Sequence, residues 1–324
     1  MASLNQIKIS VKDELNEFES YFHAYMKSHV PLLNIITKYV LKSKGKQMRP
    51  ILVLLSAKLF GKVTPSTFHA ASLIELMHTA TLIHDDVVDE SYQRRGFLSV
   101  NALWRNKISV LVGDYLLAKG LLLSVDNSEF ELLKIVSEAV KEMSEGELLQ
   151  IEKARKLDIN EDLYFEIIKK KTAMLIAVSS ASGALSAGAS TEETLRMKNF
   201  GESLGIAFQI KDDIFDYSAG NKTGKPAGND IREKKVTLPL IYALKQSSGN
   251  EKKQILRIVA SKEPGAIELK TVVDFVNAKG GFDYAVKRME DYKNNAIKIL
   301  NSFPQNNART ALQKFVIYAA NRDK

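Results

Sequence analysis

The sequence predicts an all-α fold, and three observations carry that prediction. Apolar residues recur at spacings of three and four along almost the whole chain, which is how an amphipathic helix shows itself. Runs that alternate apolar with polar residues, as strands do, are scarce. Only 7 prolines and 17 glycines are spread over 324 residues, and no linker-like stretch gathers them. Length alone suggests about two domains, but without a linker the chain reads as one domain over residues 1–324.

Taken in order, residues 1–17 alternate charged and apolar side chains and hold no signal-peptide core, so the chain reads as cytoplasmic. Thr64 and Pro65 have the form of a cap and first helical residue, opening a long helix that runs to about Glu90. A polar stretch, residues 91–99, follows it. Asn160 is expected to cap the helix that carries Lys171. Residues 172–191 carry no charge but are rich in Ser, Ala and Gly. A membrane span needs about 20 predominantly apolar residues, so this reads as a closely packed buried helix. Ser190 and Glu193 have the spacing of a capping box and open a helix that reaches about Tyr217. A second polar stretch, residues 218–234, contains Gly220, Gly224, Pro226 and Gly228 and could serve as a lid. Gly280 and Gly281 end one helix just before another.

Composition narrows the function classes. Hydrophobic residues make up 45% and charged residues 26%, ordinary values for a globular protein. The net charge of +8 suits anionic substrates, a membrane surface or nucleic acid. The Lys and Arg residues are scattered through helix-like segments rather than gathered in a patch, which argues against nucleic acid. Cysteine is absent, which excludes disulfides, a thiolate nucleophile and a thiolate metal site.

Two stretches share one pattern. Asp85-Asp86-Val87-Val88-Asp89 follows Leu82-Ile83-His84, and Asp212-Asp213-Ile214-Phe215-Asp216 follows Gln209-Ile210-Lys211. Each reads D-D-x-x-D in an apolar helix. Residues four apart share a helix face, so Asp85 stacks with Asp89 and Asp212 with Asp216. Like charges at that spacing disfavour the helix unless a cation neutralises them. Mg²⁺ prefers oxygen ligands and shares its coordination with substrate phosphates. Two such pairs therefore suit several Mg²⁺ ions clamping a diphosphate. The alternative is a pair of solvated acidic faces, but acidic residues amid Leu, Ile, Val and Phe are expensive to bury unpartnered. His84-Asp85 also raises an HD-type metal phosphohydrolase; His23, His29, His69 and His78 do not complete its ligand set.

A diphosphate needs cations as well. Lys46 and Arg49 stand just before an apolar helix, whose start favours phosphate. Arg94 and Arg95 follow the first acidic motif, and arginine grips phosphate with a rigid fork. Lys171-Thr172 offers a cation and a hydroxyl, and Lys225 and Lys235 lie in or just after the second polar stretch.

Together these stretches resemble the trans-prenyltransferases of the polyprenyl synthetase family, over roughly Lys46 to Arg322. The matching runs are GKQMRP, HTATLIHDDVVDES, RRG, SVLVGDYLLAKG, KTA, and FQIKDDIFDY with TGKPAGNDIREKKVTLPLI. The resemblance implies the isoprenoid synthase fold, a bundle of long helices around a deep central cavity, usually as a homodimer. It implies Mg²⁺-dependent head-to-tail condensation of isopentenyl diphosphate with an allylic diphosphate. Lys46, Arg49, His78 and Arg95 would hold isopentenyl diphosphate. Asp85, Asp89 and Asp212 would bind Mg²⁺ directly, with Asp86, Asp213 and Asp216 in support. Arg94, Lys171, Gln209, Lys225 and Lys235 would contact the allylic diphosphate, and Thr172 with Gln209 would lie near the carbocation. The sequence departs from the family at Arg105 and Lys234, where many members have Gly; only local effects are expected.

Product length is also addressed. The growing hydrocarbon should run along the first acidic helix, past Thr81, Ala80, Met77 and Ile74. Short-chain members often carry an aromatic floor at the position of Ala80 or Thr81. Both are small here, which, like the run HTATLIHDDVVDES, resembles octaprenyl-type long-chain synthases, with quinone side chains as the expected use. The rivals are a synthase stopping at farnesyl or geranylgeranyl diphosphate, a class I terpene cyclase and a non-catalytic subunit of a heteromeric synthase. Membrane contact is expected to be peripheral at most, for product release.

Overall fold

The computed structural model describes residues 4–42, 45–94, 96–154, 160–218, 229–233, 235–261 and 263–322. The chain is all-α. Its helices are α1 (Leu4–Ile9), α2 (Lys12–Tyr25), α3 (Pro31–Lys42), α4 (Met48–Phe60), α5 (Pro65–Val88), α6 (Val100–Asp126), α7 (Phe130–Ala154), α8 (Glu161–Ile168), α9 (Met174–Ser186) and α10 (Thr191–Ser218). They continue with α11 (Asn229–Arg232), α12 (Leu238–Lys245), α13 (Gly249–Ala260), α14 (Ala266–Ala278), α15 (Gly281–Asn301) and α16 (Asn307–Asn321). A two-residue antiparallel hairpin, β1 (Gln93–Arg94) with β2 (Phe97–Leu98), lies within the polar stretch after α5.

Contacts divide the chain into two compact units. The first comprises Met1–Val140, Val178–Lys198 and Leu300–Phe315; the second comprises Lys141–Ala177, Asn199–Ile299 and Val316–Lys324.

In the first unit α5 is the central helix. Thr64 caps it by accepting from the Thr67 backbone N–H, with Pro65 in the first turn, as the sequence predicts. Leu73, Ile74, Leu76, Met77, Ala80 and Ile83 are buried around its circumference. The last turn surfaces, and there Asp85, Val88 and Asp89 are exposed. Gly113 and Gly120 let α6 lie directly on α5. A Cβ on Gly113 would come within 2.1 Å of the His84 ring, and one on Gly120 within 2.3 Å of the Met77 methyl. His84 is thereby packed into the helix contact, with Nε2 3.3 Å from the Val110 carbonyl oxygen. Ser179, Ser180 and Ser182 of α9 are fully buried, and a Cβ on Gly183 would meet the Val53 carbonyl at 2.2 Å. That is the close-packed helix its composition predicts. Among the described residues α6 is long and apolar enough by composition to cross a membrane.

α6 bends near its start. Arg105 takes φ 65 and ψ 170, so the helix is interrupted there. Glycine, the residue the sequence resemblance leads one to expect at this position, tolerates such a conformation readily.

The second unit packs around Ile206, Ala207, Ile210, Ile214 and Tyr217 of α10, with Leu238 and Leu240 of α12 and Val272 and Val276 of α14. Ser190 and Glu193 form the expected reciprocal cap of α10, with Glu193 accepting from the Ser190 N–H at 2.9 Å and Ser190 Oγ accepting from the Glu193 N–H at 3.3 Å. Gly280, at φ 73, ends the turn between α14 and α15. One expectation is corrected. Asn160 caps α8, but Lys171 is not on that α-helix; it lies on a π-helical turn, Lys169–Ala173, that joins α8 to α9.

Candidate active site

The first acidic motif occupies the C-terminal end of α5. Asp89 is the C-cap, and its N–H donates to the Asp85 carbonyl at 2.8 Å, so the last turn stays helical and both residues fall on one face of it. Carboxylates here oppose both each other and the negative end of the helix dipole. Each such conflict costs roughly 0.3–1 kcal/mol. One fully buried Leu or Ile contributes about 1.5–3 kcal/mol. The packed body of α5 therefore holds the acidic turn in place, leaving it suited to a cation.

Asp86 differs from its neighbours. It is buried, and Arg94 grips its Oδ1 with Nε at 2.8 Å and a terminal nitrogen at 2.7 Å. Its backbone carbonyl also accepts from the Ser91 N–H at 2.9 Å. Asp86 thus folds the chain back after the helix and sets Arg94 beside the motif. His78 is buried on α5, seven residues before Asp85. Lys46 and Arg49 flank the start of α4, where Gln47 at φ 56 supplies no side-chain cap. Ala80 and Ile74 are fully buried, Met77 is nearly so, and Thr81 is half-buried with its hydroxyl donating to the His78 carbonyl at 2.9 Å.

The second motif lies on α10 in the second unit, beside a cavity of about 240 Å³. Lys171, Thr172, Gln209, Asp213, Asp230 and Lys235 line it. A hydrogen-bond relay runs through it. Thr172 Oγ1 donates to Gln209 Oε1 at 2.8 Å, and Gln209 Nε2 donates to Asp213 Oδ1 at 2.8 Å. Tyr164 OH donates to Asp213 Oδ2 at 2.6 Å. The Asp230 N–H donates to Asp216 Oδ2 at 3.0 Å, tying α11 to the motif.

The π-turn is held from both sides. A Cβ on Gly146 of α7 would come within 2.7 Å of Lys170 Cβ, and one on Gly205 of α10 within 2.5 Å of Ala173 Cα. Lys169 pairs with Glu202 at 2.9 Å, and Lys170 pairs with Glu142 and Glu145 at 3.0 Å each. Those pairs leave Lys171 to line the cavity, where it contacts Glu147 and, at 3.4 Å, Gln150. Single π-turns within helices are frequent at functional sites.

Electrostatics at this end are unusual for carboxylates. Burial, reinforced by the charge of Asp230, pushes Asp213 up to about 8. Burial, reinforced by Asp216, pushes Asp230 up to about 7. Asp212 is bonded by Arg322, whose guanidinium lies 3.7 Å from the centre of the Phe208 ring.

Most of the residues expected from the sequence gather in these two places. Lys171, Thr172, Gln209, Asp213 and Lys235 share one cavity. Asp85, Asp86, Asp89 and Arg94 share one helix end. Arg95 and Lys225 lie outside the described residues, as do Lys234 and most of the second polar stretch. Three residues were missed by sequence reasoning: Asp230, Tyr164 and Arg322. Asp230 stands within the second polar stretch, where an acidic residue beside the acidic motif was a usable signal. Tyr164 and Arg322 reach the motif only through tertiary packing.

An all-helical chain with two such acidic motifs answered by lysine, arginine and amide groups has the make-up of a prenyltransferase. The chain belongs to the polyprenyl synthetase family, whose model matches residues 30–276. It is 38% identical over 316 residues, 96% of either chain, to the all-trans-nonaprenyl-diphosphate synthase (geranyl-diphosphate specific) of Rhodobacter capsulatus. It is 36% identical over 300 residues, 92% of this chain and 93% of the other, to the octaprenyl diphosphate synthase of Escherichia coli. Among solved structures, the geranylgeranyl pyrophosphate synthase of Bacteroides thetaiotaomicron matches at 39% identity over 98% of each chain, with a TM-score of 0.83.

Proposed function

We propose that this chain condenses isopentenyl diphosphate head to tail with an allylic diphosphate and makes a long-chain, all-trans, octaprenyl-like polyprenyl diphosphate. The relay from Thr172 through Gln209 to Asp213, beside Lys171 and Lys235 in one cavity, is the observation that carries this reading.

The residues fit Mg²⁺. The donor set is all oxygen, which a hard cation requires. Asp213 and Asp230 are raised to about 8 and about 7, chiefly by burial with neighbouring carboxylates adding to it, so a cation beside them would favour their charged forms. Among the described residues no three His, Asp or Glu side chains form a ready-made cage. That suits an ion that keeps waters and takes part of its coordination from substrate phosphates. Asp85, Asp89 and Asp212 would bind it directly, with Asp86, Asp213 and Asp216 in support. Several bound ions would neutralise the departing diphosphate as its negative charge grows.

The chain's own groups would divide the remaining work. Lys46, Arg49, His78 and Arg95 bind isopentenyl diphosphate. Arg94, Lys171, Lys225 and Lys235 bind the allylic diphosphate and stabilise charge on the leaving group. Gln209 and the Thr172 hydroxyl, fixed by their mutual hydrogen bond, orient the allylic carbon where cationic charge develops. The isopentenyl double bond attacks that carbon, and a proton is then lost to the departed diphosphate. Ile167, Ile168 and Val236, which also line the cavity, help keep water from quenching the cation.

Ala80 is small and fully buried and Thr81 is small and half-buried; neither is the aromatic floor expected of short-chain members, which supports a long product. Each CH₂ added to a buried tail gains about 0.8 kcal/mol while room remains. The likeness to a geranylgeranyl pyrophosphate synthase favours a second reading, a product that stops at that length. We further assign residues 1–324 to one catalytic domain in the cytoplasm, working as a homodimer, with no nucleic-acid partner and at most peripheral membrane contact. Quinone side chains are the use an all-trans product suits.

Sizing the dephosphorylated products tests the proposal. With Mg²⁺, isopentenyl diphosphate and farnesyl diphosphate, the chain should give a ladder ending well beyond geranylgeranyl. Asp85→Ala and Asp212→Ala should each lower turnover by several orders of magnitude. A stop at geranylgeranyl would select the second reading. No elongation from any primer would return the chain to a non-catalytic subunit.

A further inference from the structure

Arg322 stands one residue beyond α16 and two beyond Ala320, which is buried in the core of the second unit. Its side chain is only 10% exposed, while that of Asp212 is 44% exposed. The guanidinium stacks on Phe208 at 3.7 Å and gives one terminal nitrogen to Asp212 Oδ1. Phe208 and Asp212 are four residues apart, so both lie on one face of α10. The buried Arg322 Nε has no hydrogen-bond partner among the described residues.

Arginine often meets a carboxylate with two parallel N–H groups. Here the charge is delivered to an oxygen proposed to ligate a metal, while a second donor is kept dry and unused. A buried donor left without a partner is costly, so the arrangement favours any event that brings Nε an acceptor. A diphosphate has such oxygens to spare.

We propose that Arg322 is a positioning residue that serves Asp212 as a built-in counter-cation. It holds the carboxylate ready before the divalent ion arrives and competes with that ion for Oδ1. An incoming diphosphate offers the guanidinium another anion, frees Oδ1 and admits the ion. Metal uptake at the second motif is therefore coupled to diphosphate, and by linkage each strengthens the other. The inference rests on the metal-dependent reading proposed above.

The test uses Mn²⁺ as the probe, counted by electron paramagnetic resonance. The full chain carries Asp85→Asn and Asp89→Asn so that the first motif is silent. Without diphosphate, adding Arg322→Ala should tighten Mn²⁺ binding about two- to fivefold, the equivalent of a partly exposed ion pair. Saturating inorganic diphosphate should shrink that gap. Phe208→Leu keeps the charge and removes its platform; it should shift the affinity the same way by less, and it covers the case in which Arg322→Ala fails to fold. Unchanged or weaker Mn²⁺ binding in both variants overturns the coupling, since a merely structural arginine would leave the affinity alone. If the unsubstituted chain binds no Mn²⁺ even with diphosphate, the metal reading itself fails and takes the coupling with it.

Discussion

Arg105 holds φ 65 inside α6, a backbone conformation that costs a residue with a side chain about 1–3 kcal/mol. Glycine would relieve most of that cost while adding about 0.5–1 kcal/mol of its own through the freedom of the unfolded chain. Arg105→Gly should therefore raise stability by about 1 kcal/mol, read as a higher urea midpoint with an unchanged slope. A lower midpoint would show that the arginine side chain contributes more than its backbone costs. Asp213 offers a second test at this scale. Its folded value is raised to about 8 from an ordinary 3.8, chiefly by burial. A raised carboxyl means that the folded chain binds the extra proton, so its contribution is complete below about pH 4 and is lost as pH climbs to about 8. In the metal-free chain, thermal stability should fall across that window, and Asp213→Asn should flatten the fall. A wild-type profile no steeper than that of the variant would remove the buried-carboxylate account. Arg105 could be picked out in the sequence only as a departure from glycine. Its φ is imposed by the bend of α6 and is not written in its neighbours.

At the scale of elements, the sequence is legible where the signal is local. Thr64 with Pro65, and Ser190 with Glu193, are caps formed within one turn, and both stand where their spacing puts them. The π-turn at Lys169–Ala173 is not local. It needs Gly146 on one neighbouring helix and Gly205 on another, so no window around Lys171 could have revealed it. The same holds for Arg322, which reaches Asp212 across 110 residues of chain. The acidic motifs were legible because i to i+4 geometry is fixed by the helix itself. On α5 that geometry also yields a test of product length. Ala80 is fully buried, one turn before the exposed acidic end. Ala80→Phe should cut the product to a shorter prenyl chain while leaving the first condensation intact. An unchanged ladder would put the floor of the hydrocarbon path on another helix.

The whole molecule bears on partners as well as chemistry. α6 exposes Leu111, Leu121, Leu122 and Val125 at 57%, 48%, 54% and 50%. A run of that kind on one helix fits a covered interface better than open water, and a second copy of the chain is the occupant proposed above. Light scattering should give twice the 36.2 kDa of the chain, and Leu111→Glu combined with Leu122→Glu should give the single mass. A wild-type monomer at micromolar concentration would end the homodimer assignment. The tight seat of α9 reaches further. Around Gly183 the helix meets its neighbour through backbone rather than long side chains. Such a contact cannot breathe by rotamer exchange; the main chains must separate as units. The amide hydrogens of residues 178–186 should thus be among the last in the protein to exchange with deuterated solvent, giving up their protons only when the first unit opens globally.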